Sequence, residues 1–201
     1  MICSVRCRTR IPAFVALIAG LAMTTAQGEA QVVKPFKIKG EGIAPLGLPL
    51  PGQAPRPHGI VGEATDLGRH TGEGTVQTDS AAFDPNTGLI NGEFGSGSPF
   101  VFVGANGERL VTWYGRVDHG ASVPGQFQLT IVGVTAGGSL IVTARFVAEF
   151  VPVSSLCTGK FAGVTGSWIM IAQTEPFVLG SQDPIDYSWE GDGSLTFRKG
   201  H

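Results

Sequence analysis

The chain has 201 residues with a formal net charge of −2, 30 glycines and 3 cysteines. A near-neutral balance with no Lys/Arg run beyond the first ten residues leaves no electrostatic footprint for nucleic acid. The length suits one domain, and glycine at roughly twice its usual share of about 7%, spread without a period, points to the many turns of an all-β protein and excludes a collagen-like chain.

Residues 1–30 have the three parts of a secretory signal peptide. Arg6, Arg8 and Arg10 form the charged part, 11–23 the apolar part, and small residues around Ala26 and Ala30 offer cleavage positions. The apolar part is shorter than the roughly 20 residues a spanning helix needs. No later stretch is long and apolar enough to span a bilayer, so no membrane span is expected after leader removal. The expected location is beyond the export step, periplasmic or secreted. Cys3 and Cys7 fall in the leader, which leaves Cys157 alone and without an internal disulfide.

After the leader, 31–58 reads as one short alternating strand at 35–42 followed by a connector in which Pro45, Pro49, Pro51, Pro55 and Pro57 remove backbone donors. From Gly59 to the end at 201 the pattern is strand, turn, strand. Short strands are expected at 60–67 and 71–78, with turn chemistry at 86–92. Asn106-Gly107 between 100–103 and 109–117 is a strong hairpin signal. Gly137-Gly138 between 126–134 and 140–151 is a second. The stretch 158–173 places Gly159, Gly163 and Gly166 where the chain must bend, then supplies Phe161, Trp168, Ile169, Met170 and Ile171 as buried surface. The last strand is 185–198, with a bulge expected at Gly191-Asp192-Gly193.

About eight or nine strands and no helix outside the leader suggest a sandwich or a barrel. Closure into an antiparallel barrel of about eight strands leaves no exposed edge. Leu140, Val142, Ala144, Phe146, Ala148 and Phe150 share one strand face, and Ile185, Tyr187, Trp189, Leu195 and Phe197 share another. One face is therefore dry, either a filled core or a lined cavity.

At Thr158-Gly-Lys-Phe-Ala-Gly-Val-Thr-Gly-Ser167 the chain resembles the glycine-rich motif before a late strand in dirigent-like and allene-oxide-cyclase-like barrels. Gly68-Arg-His-Thr-Gly-Glu-Gly-Thr-Val76 looks like the early glycine-spaced strand of their bacterial secreted relatives. The resemblance covers roughly 59–197. It implies an eight-stranded antiparallel barrel with a central cavity, which in plant members holds an oxylipin or guides a phenoxy-radical coupling. No catalytic motif of the family is matched, so no catalytic residue is carried over.

The ligand-pocket candidates are Trp113, Arg145, Glu149, Trp168 and Tyr187. Arg145 and Glu149 share a strand face about 13 Å apart, and either line a cavity mouth or lie on the wet outer face, the ordinary place for such residues. Asp118 and His119 next to Trp113 resemble a base and its carboxylate, yet neighbours on a strand face opposite ways and a turn explains them equally well. The four histidines, His58, His70, His119 and His201, show no metal-ligand spacing, and neither a cofactor nor a nucleotide-binding loop is expected. Three roles follow. The leading one is a non-enzymatic barrel binding a small apolar ligand. The second is a cofactor-free isomerase or cyclase, which needs an ionisable group such as Glu41, Glu73, His119, Arg145 or Glu149 facing inward. The third is a structural or interaction protein of the envelope with a solid barrel, as a monomer or an oligomer. A cavity of about 300 Å³ or more marks the first two.

Overall fold

A computed structural model describes residues 31–198; the leader expected at 1–30 lies outside them. The described chain is eleven strands: β1 (Gln31–Ala44), β2 (Arg56–Ala64), β3 (Gly68–Asp84), β4 (Leu89–Ser96), β5 (Phe100–Gly104), β6 (Arg109–Tyr114), β7 (Gly125–Val134), β8 (Leu140–Pro152), β9 (Thr165–Thr174), β10 (Phe177–Val178) and β11 (Ile185–Arg198). All pairings are antiparallel. Eight strands close a hydrogen-bonded ring in the order β2-β1-β11-β9-β8-β6-β5-β3, not evenly disposed about one axis. The first half of β3 pairs with β2 and β5, and its second half leaves the ring to pair with β4. β8 divides likewise between β7 and the pair β6 and β9. The β4–β7 pair therefore bridges β3 to β8 as a flange on the ring.

Both expected hairpins form, at Gly107 between β5 and β6 and at Gly138 between β7 and β8, with left-handed φ at each glycine. The segment 31–58 departs most from expectation. Its first strand runs the full 14 residues of β1 and forms the wall between β2 and β11, so it belongs to the barrel, and the connector shrinks to residues 45–55. The inward positions of β1 include Gly40 and Gly42, which weaken the apolar alternation a strand search relies on. Gly42 is needed there. A Cβ at that position would lie 2.2 Å from Cζ of Tyr187.

The bulge expected at Gly191–Gly193 is absent. Pairing of β11 with both β1 and β9 is continuous through these residues. Their missing side chains instead admit Trp168, whose atoms a Cβ at either glycine would meet at 2.5–2.8 Å. Register shifts fall at Thr78/Ser80 in β3, where the flange leaves the ring, and at Ile131/Gly133 in β7, beside the β7–β8 turn.

In 158–173 all three glycines take positive φ, at 60°, 72° and 103°, as the bends demand. Phe161 and Trp168 are fully buried, but Ile169 is 45% exposed. Successive residues of β9 face opposite sides, so Trp168 and Met170 enter the core while Ile169 and Ile171 look outward. The core is dominated by rings. Phe36, Phe102 and Phe150 each meet Trp168, at 4.8, 6.0 and 5.2 Å between centroids. No helix among the described residues is long and apolar enough to cross a membrane.

Candidate functional site

Inside the ring the side chains leave an apolar cleft of about 60 Å³, open at one end and well short of the roughly 300 Å³ expected of a ligand-binding or catalytic cavity. Its walls include Phe94, Phe100, Phe102, Phe150, Met170 and Trp189. The lining residues that keep some exposure, Leu48, His58, Phe146, Thr174 and Tyr187, mark its open end, and Phe102, Phe150 and Trp189 its closed end. Leu48 comes from the 45–55 connector, which is tied down by Arg56. That guanidinium donates to the Leu46 carbonyl and to Gln53.

The polar feature of this wall is His58. Its ring lies 2.9 Å by Nδ1 from the Tyr187 hydroxyl and 2.8 Å by Nε2 from the Tyr114 hydroxyl. The Tyr114 hydroxyl also lies 3.1 Å from the Thr75 carbonyl, which can only accept. Tyr114 therefore donates to Thr75 and accepts from His58 Nε2–H, and His58 Nδ1 accepts the Tyr187 proton. The alternative for that proton, the Gly59 carbonyl, is more distant at 3.4 Å. One directional chain results: Tyr187 to His58 to Tyr114 to Thr75.

Although His58 keeps some exposure as a residue, its ring is enclosed by Phe100 at 4.9 Å and by the two tyrosines. Burial lowers its pKa to about 4. Burial raises both tyrosine hydroxyls above their ordinary range. At neutral pH all three groups are uncharged.

Of the five sequence candidates, Tyr187 lines the cleft. Trp168 packs behind it in the ring cluster. Trp113, Arg145 and Glu149 lie elsewhere. Trp113 stacks flat on His119 at 3.8 Å on the outside of β6, where Asp118 and His119 form a 3-10 turn at Val117–His119. Arg145 is exposed on the flange beside Asn91 and Gln128. Glu149 accepts from the Ser122 N–H. Partial burial pushes its pKa up, and hydrogen bonds from Ser122 and Ser167 outweigh this and hold it low. Glu41, Glu73 and His119 are exposed as well, so none of the five ionisable groups the isomerase expectation named enters the cleft.

Sequence reasoning missed His58 and Tyr114. The available signal was period two: stepping back from Ile60 puts His58 on the same inward face of β2. Cys157 is buried, with Val111 N–H donating to Sγ at 3.3 Å, and burial raises its pKa. Among the described residues no cluster of His, Cys, Asp or Glu could hold a metal ion.

Compared with family models, curated proteins and solved structures, the chain finds no match in any of the three. The cleft itself is thus the ground for a functional reading.

Proposed function

We propose that this is an exported β-barrel that binds a small, largely apolar, uncharged ligand in its aromatic cleft. The observation that carries this reading is the His58 network, a fully paired set of neutral hydrogen-bonding groups at the open end of an otherwise apolar cleft. Ligand sites typically combine apolar walls with a few fixed polar groups. Lys and Arg are absent from the lining, so a carboxylate would enter without a partner, at a steep desolvation cost. The size of the cleft favours a ligand of a few heavy atoms, or the end group of a longer one whose remainder leaves past Leu48 and Phe146.

Every proton of the network is already committed, so it offers a ligand only the free lone pairs of its hydroxyls and no charge, which favours recognition over proton-transfer chemistry. The charged, apolar and small-residue parts of 1–30 support export to the periplasm or the medium. The resemblance of 68–76 and 158–167 to dirigent-like and allene-oxide-cyclase-like barrels enters this proposal as fold and cavity only.

Thermal unfolding in saturating benzene tests it. A ligand bound only by the native state raises Tm. The rise is expected in the native chain and not in Ala172→Leu, which fills the cleft from β9. Equal rises in both, or none in the native chain, would reject the cleft as a binding site.

A further inference from the structure

Every residue that lines the cleft lies in a strand except Leu48. The strand walls are held by backbone ladders, and moving any of them breaks several hydrogen bonds at once. Leu48 stands in the open end on the 45–55 connector, whose ties are few. Its backbone bonds are local: Gly47 N–H donates to the Ala44 carbonyl at 3.1 Å, and Gln53 N–H to the Leu50 carbonyl at 3.0 Å. Leu50 N–H donates to Gln53 Oε1 at 2.9 Å. Both halves of the segment are then tied to one side chain, Arg56 at the start of β2. Its guanidinium donates to the Leu46 carbonyl and, at 2.9 Å, to the same Gln53 Oε1. Among the described residues, no hydrogen bond of 46–54 reaches beyond Ala44 and Arg56.

The segment is also built to move as a unit. Pro49 and Pro51 fix φ on either side of Leu50, which stiffens 48–51. Gly47 and Gly52 flank this stretch with φ of 66° and 81°, a conformation glycine takes without strain. Gly47 and Pro49 are buried, which seats the segment in its shut position, whereas Leu46 and Leu50 are 49% and 40% exposed. Local opening is drawn from segments with few ladder bonds and few buried contacts. Around this cleft only the connector is such a segment.

We propose that residues 46–54 form a lid on the cleft. Leu48 is its plug, Gly47 and Gly52 are its hinges, and Arg56 is the latch that holds it shut. This rests on the cleft being a ligand site and names how that site is entered and what limits the size of its occupant. With the latch released, Leu48 leaves the open end and the cleft gains the room of that side chain. The lid then closes over the ligand, as hinged loops do around bound molecules.

The test uses the full chain with fluorobenzene as the probe. Fluorine-19 exchange spectroscopy reads association and dissociation from the free and bound signals. Arg56→Gln keeps a polar side chain and removes the forked donor. Both rates should rise about tenfold, the equivalent of one charge-assisted bond, with the dissociation constant within about twofold of native, because free and bound chains lose the same latch. Leu48→Ala should also raise the association rate, and should let 1-fluoronaphthalene bind where the native chain excludes it. Ile60→Ala enlarges the same cleft from β2 and is the control, expected to leave the association rate unchanged. Association rates that neither Arg56→Gln nor Leu48→Ala changes would overturn the lid and leave the cleft standing. An equal rise in Ile60→Ala would overturn it as well. Should that control fail to fold, amide exchange in the native chain decides: the Leu50 and Gln53 N–H groups should exchange far faster than that of Ile60, and equal protection would overturn the lid. If fluorobenzene binds none of these chains, the cleft reading falls and the lid with it.

Discussion

Two histidines face the interior of this barrel, and their surroundings differ in one respect. His58 at the open end has a tyrosine hydroxyl on each ring nitrogen. His70, buried outside the cleft lining, has a backbone carbonyl on one nitrogen and no hydrogen-bond partner on the other. Burial lowers the pKa of both. The protein has completed the hydrogen bonding of one histidine and left the other half made. The first should therefore matter for stability, and the second should be nearly free to change.

Acid separates the two most strongly. The folded pKa of His58 is lowered to about 4 from an ordinary 6.5. Its contribution is thus whole above about pH 6.5 and is lost as pH falls toward 4, because the unfolded chain binds the proton first. The full swing is about 3 kcal/mol, and His70 adds to it in the same direction. Urea unfolding at pH 7 and pH 4 should show this loss, and His58→Leu should show less of it. A pH-independent stability would contradict the burial of the His58 ring.

His58→Leu at pH 7 comes next. It leaves the Tyr187 hydroxyl only the more distant Gly59 carbonyl at 3.4 Å, and takes one partner from Tyr114, at about 2 kcal/mol. Tyr187→Phe removes only the first link of the chain and should cost about 1 kcal/mol. Smallest of all is His70→Phe, which removes an unpaired polar atom along with the Gly68 bond. It should change stability by less than about 1 kcal/mol in either direction. If His70→Phe cost as much as His58→Leu by chemical denaturation, the contrast between the two histidines would be void.

Much of the architecture was legible in the sequence. Asn106-Gly107 and Gly137-Gly138 are turn chemistry that acts locally, and the dry faces of β8 and β11 follow from strict alternation. The wall at β1 was harder to read because Gly40 and Gly42 occupy its inward positions. Those glycines serve neighbours distant in sequence: Gly42 makes room for the ring of Tyr187, and Gly40 for the backbone of β2, with a Cβ there falling only 2.1 Å from the Val61 carbonyl oxygen. A glycine that serves a long-range contact looks in sequence like one that serves a turn.

The site was legible only in part. Tyr187 stood on a dry strand face and lines the cleft, whereas Arg145 and Glu149 share the strand with Phe146 and Phe150 but take the other face. His58 was hidden by Pro55 and Pro57, which drew the start of β2 to Ile60, although β2 begins at Arg56. The pairing of His58 with Tyr114 and Tyr187, and the edge-to-face meeting of the His70 and Trp189 rings, depend on how the ring closes through β1 and β2. No local pattern encodes that closure.

The central claim, that the aromatic cleft admits an apolar molecule, can be read at one atom. Met170 lines the cleft and is the only methionine among the described residues. With carbon-13 methyl-labelled methionine, its signal, assigned through Met170→Leu, should shift saturably on titration with benzene through the ring current. A Met170 methyl that stays fixed at saturating benzene would mean that the interior is closed, and would contradict the account.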